Sequence, residues 1–397
     1  MSVRKREWTT PKGVEKSAWV VDYHDTTGQR RLKTFAKKRD ADKFSATASV
    51  EVREGVHVAD SASVSVYKAG ALWISSGENA GLERSTINQR KSHLELHIKP
   101  LIGDTLLSKL TVPAVREFED RLRKEGRSQA MSKKVLTSLG SILADAGERG
   151  LATRNPVRDI RGGRKGRERR SERRQKGRIE VGVDIPTREE IKALVASLEA
   201  NWRPFFVTAV FTGMRSSELR GLRWQDVNFK QGEIAVNQRA DQFGEIGAPK
   251  SEAGTRIIPV PPLVINALKE LRLKQGNPTG LVFGNPDGDP RSHTNIINKG
   301  LIPAMVRAGV TVESGEVYAE GNPVLKAKYT GMHALRHFYA SWLINRKEDG
   351  GLGLPAKMVQ ERLGHASIVM TMDVYGHLFP RNDDGGELAD AASALLN

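Results

Sequence analysis

The sequence predicts a multidomain chain in three folded parts: a small β-sheet-plus-helix N-terminal domain, an all-α domain, and a larger mixed α/β, mainly helical domain. Three observations lead there. At 397 residues the chain exceeds one ordinary core. Its hydrophobic period changes from short alternating stretches near the N-terminus to helical spacing from Val64 onward. Between Arg158 and Arg178 the composition turns almost wholly to Arg, Lys, Glu and Gly, with little to bury, which marks a linker. The expected boundaries are 1–57, 64–157, 158–182 for the linker, and 183–397.

In the first part, Ala18 to Tyr23 and Arg31 to Phe35 read as strands, joined by a turn at Asp25-Thr26-Thr27-Gly28. A helix over Lys38–Arg53 follows, with Ala41, Phe44 and Ala48 on one side. With Lys33, Lys37, Lys38 and Arg39 nearby, such a unit can present a β-ribbon to a DNA major groove; a packing or oligomerisation module is the other reading.

In the second part, Val66, Ala69, Gly70 and Trp73 share a helical face. Thr111 caps a helix with Val115, Phe118 and Leu122 inward, and Ser128 caps one with Met131, Val135, Leu139, Ile142 and Leu143 inward. The polar faces carry Arg84, Arg90, Lys91, Lys133 and Lys134, which an ordinary bundle would simply solvate. In the third part, Thr187 and Glu190 form a capping box before the stripe Ile191, Leu194, Val195 and Leu198. Trp202 to Phe211 reads as a buried helix. Glu233 to Asn237 and Thr255 to Val260 read as strands around the glycine-rich Gly244 to Gly254. The sequence shows neither an internal repeat nor a nucleotide-binding phosphate loop.

Lys plus Arg number 63 against 47 Asp plus Glu, a net charge of +16. That excess suits a polyanionic partner, because neutralised phosphates release counterions; a generally basic soluble protein is the bland alternative. The absence of cysteine excludes disulfides, thiol catalysis and thiolate zinc sites. No apolar run follows Met1-Ser2-Val3-Arg4-Lys5-Arg6, and no stretch approaches the roughly 18 apolar residues that span a bilayer. The expectation is a cytoplasmic, nucleoid-associated chain with no membrane contact.

Three segments carry chemistry: Thr212-Gly213-Met214-Arg215-Ser216-Ser217-Glu218-Leu219, His333-Ala334-Leu335-Arg336-His337, and Leu363-Gly364-His365 followed nine residues later by Tyr375. Arginine offers a planar, permanently charged fork for phosphate oxygens. Tyrosine can act as a covalent nucleophile, and histidine moves protons near neutral pH. Together they can attack a phosphodiester without metal. His333 and Arg336, three apart, can face one phosphate from one helical side. Glu218, three after Arg215, can orient that arginine.

These segments resemble the catalytic domain of the tyrosine recombinases, the phage-integrase family. The likeness runs through Thr212 to Trp224, His333 to Ser341 and Leu363 to Pro380, and with weaker helical similarity back to Val64. The segment before Val64 is similar, more loosely, to the arm-binding domain of phage-type integrases. The resemblance implies a small arm-type DNA-binding domain, an all-α core-binding domain that clamps DNA, and a mixed α/β, mainly helical tyrosine-recombinase catalytic domain. It also implies a homotetramer on double-stranded DNA, with DNA-bending accessory proteins or an excision factor as further partners. It implies no cofactor and no metal. It further implies that the C-terminal segment, here Glu387 to Asn397, docks on a neighbouring protomer; folding back on its own domain is the alternative.

By the same resemblance Arg215 and Arg336 hold the scissile phosphate, His365 bonds one of its oxygens, and His333 handles the proton of the nucleophile, Tyr375. Lys250 protonates the leaving 5′-oxygen, with Lys230 as the alternative lysine. His337 is a supporting residue. Of the other tyrosines, Tyr23 and Tyr67 lie in other parts, Tyr339 reads as core, and Tyr318 and Tyr329 flank a segment rich in Gly, Glu and Lys. Val312 to Lys328 and Glu348 to Pro355 lengthen the pattern without removing a catalytic position. The implied function is integration, and excision, of a mobile element through a 3′-phosphotyrosine. A chromosome or plasmid resolvase, a type IB topoisomerase and a catalytically silent DNA-binding regulator are the rivals; the extra N-terminal unit argues against a resolvase, and the intact site residues against a regulator.

Overall fold

The computed structural model describes residues 1–11, 13–26, 28–55, 57, 59, 63–161, 178–276, 278, 280–317, 323–380 and 392–396. The chain forms two compact units, residues 1–169 and 170–397. Most of the expected linker 158–182, together with Tyr318 and most of the tail from Glu387, lies outside the described residues.

The first unit opens with strands β1 (Ser2–Thr9), β2 (Glu15–His24) and β3 (Arg30–Phe35), an antiparallel sheet in that order. Helix α1 (Lys38–Arg53) covers one face, burying Val21 and Tyr23 against Ala41, with Trp19, Phe35 and Phe44 around them. The turn between β2 and β3 is closed by the Asp25 carboxylate, which accepts from the Gln29 N–H (3.0 Å). Strand β1 was not legible. Its Ser-Val-Arg-Lys-Arg-Glu-Trp-Thr is an edge strand, almost wholly exposed, so no apolar alternation marks it. Buried His57 bonds Tyr23 Oη and the Glu51 carboxylate, both at 3.0 Å, and so ties the end of this region to the sheet.

The helices α2 (Val66–Asn79), α3 (Arg84–His93), α4 (Lys99–Ile102), α5 (Val112–Lys124), α6 (Gln129–Glu148) and α7 (Pro156–Arg161) form a separate hydrophobic cluster. Ser65, Thr111 and Ser128 cap α2, α5 and α6 through their side chains. Val66, Ala69, Trp73, Val115, Phe118, Leu122, Val135, Leu139, Ile142 and Leu143 all lie in the core, as helical spacing requires.

In the second unit α8 (Arg188–Ser197) begins with the Thr187–Glu190 capping box, and the apolar α9 (Arg203–Thr212) runs through the core. The short α10 (Ser216–Arg220) follows. A small sheet of β4 (Val227–Asn228), β5 (Glu233–Val236) and β8 (Arg256–Pro259) pairs Ala235 with Ile257, and the hairpin β6 (Arg239–Ala240) and β7 (Ile246–Gly247) intervenes. Helices α11 (Pro262–Lys274), α12 (His293–Asn295) and α13 (Ile302–Arg307) come next. Strands β9 (Thr311–Val317) and β10 (Pro323–Ala327) form an antiparallel hairpin in the region that lengthens the pattern before His333. Then come α14 (His333–Ile344), α15 (Ala356–Leu363) and α16 (Ile368–Tyr375). The second lengthened segment straps back over α14, with Leu352 and Leu354 N–H groups donating to the Trp342 and Leu343 carbonyls. No helix among the described residues is long and apolar enough to cross a membrane.

Candidate active site

Helix α9 stops at Gly213, which takes the left-handed conformation (φ +58°). A Cβ there would come within 2.3 Å of the Tyr339 ring, so only glycine lets the chain turn this close to α14. The turn leaves Arg215 just ahead of α10, where its backbone N–H and its Nη1 bond the two oxygens of Glu218 at 2.9 and 2.7 Å. Its Nη2 donates to the Gly364 carbonyl (3.2 Å). Glu218 is buried, and Arg256 Nη2 reaches its second oxygen at 2.9 Å. Burial alone would raise this carboxyl; the adjacent Arg256 and then Arg215 outweigh it and hold the group below its ordinary value.

Arg336 lies one turn into α14 and is nearly sealed from solvent. It donates to the carbonyls of Gly213 and Leu363, both at 2.6 Å, linking the turn before Arg215 to the end of α15. Burial, reinforced by the charge of Arg215, pulls the guanidinium down to about 9, so it stays charged at neutral pH. His333, at the start of the same helix, is exposed at the rim. Partial desolvation by the surrounding protein, then the charges of Arg336, Arg215 and His293, hold it below the ordinary histidine value.

Helix α15 ends at Gly364 (φ +64°), and His365 follows with its N–H on the Gln360 carbonyl (3.1 Å). His365 is buried, with Nδ1 2.9 Å from Thr371 Oγ1. Its ring lies nearly parallel to that of Tyr375, with centroids 6.2 Å apart. Ser367 caps α16, and Tyr375 is the last residue of that helix. The phenol is 2% exposed, and its oxygen sits 2.8 Å from His337 Nδ1. Burial pushes it up to about 12, against the opposing charges of Arg336 and Arg215. His337 and His365 are each pulled down to about 4, first by burial and then by neighbouring positive groups.

The fold therefore gathers Arg215, Glu218, Arg336, His337, His365 and Tyr375, with His333 at the edge. The phenol's hydrogen bond goes to His337, the residue the sequence offered only as a support, rather than to His333. Lys250 is exposed on the loop between β7 and β8. That loop meets the cluster: a Cβ on Gly364 would lie 2.8 Å from the Ala253 carbonyl oxygen. Lys230 sits in the β4–β5 turn. Tyr329 and Tyr339 are buried in the core, Tyr329 bonding Glu190 (2.9 Å), and Tyr67 bonds Glu95 (3.0 Å).

The candidate DNA-contact residues lie in the other unit. Lys33 stands over the Phe44 ring (4.3 Å) and Lys38 over Trp19 (5.4 Å), while Lys37 and Arg39 are exposed. Arg90 is committed to its own domain: its guanidinium stacks on Trp73 (4.1 Å) and its Nη1 donates to the Trp73 carbonyl (2.9 Å). Lys91 pairs with Glu78 (2.8 Å), and Lys133 and Lys134 are exposed on α6. Sequence reasoning assigned nothing to Arg256, to His293, whose Nδ1 lies 2.9 Å from Ser216 Oγ, or to buried Arg220, which holds the Arg291 and Asp241 carbonyls. An arginine's burial leaves no mark in composition or period.

Residues 187–381 match the phage integrase family, and residues 68–163 match the phage integrase central domain. The ICEBs1 integrase of Bacillus subtilis (strain 168) is 24% identical over 398 residues, covering 97% of this chain and 99% of that protein. Among solved structures, the Tn1549 transposon integrase in complex with transposon right end DNA superposes with a TM-score of 0.62 at 18% identity, covering 83% of this chain and 100% of that one. A lambda integrase tetramer bound to a Holliday junction does so with a TM-score of 0.52 at 18% identity, covering 91% and 95%. At such identities the structures speak for the multidomain fold. With both family matches, the chain belongs to the phage integrase family and is a site-specific tyrosine recombinase, an enzyme that transfers DNA strands.

Proposed function

We propose that this chain integrates, and excises, the DNA of a mobile element through a 3′-phosphotyrosine formed at Tyr375. The observation that carries this reading is the position of one buried phenol between His337 and His365, within the field of both Arg215 and Arg336. Tyr375 Oη forms a bond to the scissile phosphorus as the bond to the 5′-oxygen breaks. Arg215, Arg336 and His365 take up charge on the non-bridging oxygens. The phenolic proton passes to a histidine: His333 on the family likeness, with His337 the ring already bonded to the hydroxyl. Lys250 delivers a proton to the departing 5′-oxygen. The ester conserves the bond energy, so the reverse attack by a 5′-hydroxyl rejoins the strand.

Double-stranded DNA is the partner, and a homotetramer is the working assembly, as the lambda integrase tetramer on a Holliday junction suggests by analogy. Residues 1–57 are read as an arm-site binding domain and 64–157 as the core-site clamp. DNA-bending proteins or an excision factor would supply direction. Similarity along nearly the whole ICEBs1 integrase supports an integrase over a resolvase. A nicked suicide core site tests the chemistry. Wild type should yield a denaturant-resistant protein–DNA adduct and Tyr375→Phe none; an adduct from the phenylalanine variant would remove Tyr375 as nucleophile. Deleting residues 1–57 should spare core-site cleavage and impair integration, and unchanged integration would remove the arm-binding role.

A further inference from the structure

Arg256 opens β8, and only 6% of its side chain meets solvent. Each of its three guanidinium nitrogens has a different partner. Nη2 bonds Glu218 Oε2 (2.9 Å), Nε donates to the Arg362 carbonyl (2.8 Å), and Nη1 donates to the Gly254 carbonyl (2.9 Å). Glu218 grips Arg215 through both its guanidinium and its backbone N–H. Arg362 stands two residues before Gly364, whose carbonyl receives Arg215 Nη2. Gly254 closes the turn Glu252–Gly254 on the loop that bears Lys250, and a Cβ there would come within 2.5 Å of Pro249 Cβ, so the loop is folded tightly on itself beside that lysine.

The contacts form a circuit from the Arg215 fork, through Glu218 and Arg256, to the lysine loop, and back through the end of α15. A residue needed only to balance Glu218 would require a positive charge. Three bonds fanned over three chain segments require a planar fork, which lysine lacks. We propose that Arg256 is a positioning residue that fixes the Lys250 loop in register with Arg215, so that one side chain holds the proton donor for the leaving oxygen beside the phosphate clamp. The inference rests on the reading of Tyr375 as nucleophile and Lys250 as general acid.

The test is single-turnover adduct formation on a nicked suicide site carrying either the ordinary bridging 5′-oxygen or a bridging 5′-sulfur. Sulfur leaves as a thiolate and needs no proton, so loss of the general acid no longer slows cleavage. As a control, Lys250→Ala should be slowed about 100-fold or more on oxygen and recover on sulfur. Arg256→Gln should lose roughly tenfold or more on oxygen and recover most of it on sulfur, with Arg256→Lys between it and wild type. Equal slowing on both substrates, or wild-type rates on both, overturns the proposal. If Arg256→Gln fails to fold by thermal melting, Arg256→Lys carries the comparison; failure of both assigns the residue to stability and also overturns it. A Lys250→Ala variant that sulfur does not rescue would instead sink the general-acid reading, and a wild type without adduct would sink the nucleophile reading.

Discussion

Tyr375 Oη and His337 Nδ1 lie 2.8 Å apart in the interior of the catalytic domain. The imidazole, pulled down to about 4 by burial and then by His333 and Arg336, is neutral; the phenol, pushed up to about 12 chiefly by burial, keeps its proton. With affinities so far apart the proton stays on oxygen, and the pair holds in place the phenol proposed above as the nucleophile. His337→Ala leaves a buried hydroxyl unpaired at a cost of about 1–3 kcal/mol. The melting temperature of the full chain should fall by several degrees, at roughly 2–4 °C per kcal/mol for a domain of this size. His337→Gln, which can restore a hydrogen bond, should recover part of the loss. An unchanged melting point in His337→Ala would mean the bond does not anchor the ring.

The same burial makes stability depend on pH in a defined window. His337 and His365 are held at about 4, whereas in an unfolded chain they titrate near about 6.5. Between those values the unfolded chain binds more protons, so stability rises with pH there. The contribution is complete above about 6.5, is lost as pH falls toward 4, and flattens below that. Melting curves from pH 7.5 to 4.5 should show the decline, and His365→Asn should make it shallower. An identical slope in the variant would exclude His365 as a source.

Much of this was legible in the sequence, for identifiable reasons. The caps at Ser128 and Thr187, and the core faces behind them, follow from spacing and local hydrogen bonding, which act over four or five residues. The segments bearing Arg215, Arg336, His365 and Tyr375 stood out by the order and spacing of those residue types together, and the fold brings them to one place. Edge strand β1 was hidden, since its stability comes from pairing with β2 and its exposed side chains carry no apolar signal. Arg256 was hidden too. Its partners Glu218 and Arg362 are 38 and 106 residues away, and no local rule connects them. Arg90 reads as a surface cation until the fold lays it on Trp73.

Glu218 accepts three bonds, two from Arg215 and one from Arg256, and is buried between them. Glu218→Gln removes the only negative charge of this trio and points an N–H₂ group at one of the donors. Breaking a buried pair in this way costs about 3–5 kcal/mol. With Arg215 no longer held, adduct formation should drop on the order of 100-fold, while gel-shift binding to core DNA, spread over many contacts, should change little. Glu218→Asp should retain part of the rate. Adduct formation by Glu218→Gln at the wild-type rate would separate the carboxylate from the arginine's function.

Gly364 tests whether the close approach of the lysine loop matters beyond backbone strain. Its φ of +64° is costly for any L side chain, by about 1–2 kcal/mol. A Cβ there would also sit 2.8 Å from the Ala253 carbonyl oxygen and from Arg256 Nη1, and the carbonyl cannot swing away as a flexible side chain would. Gly232 provides the comparison, with φ +68° but nothing nearer to its Cβ than the Val260 carbonyl oxygen at 3.6 Å. Both alanine variants should lose melting temperature from strain. Gly364→Ala should lose more, and should also lose adduct formation, because the displaced backbone carries His365 and presses on the segment that holds Arg256. Gly232→Ala should cleave normally. Equal losses in the two variants would show that strain alone accounts for Gly364 and that the contact with Ala253 has no part in placing the site.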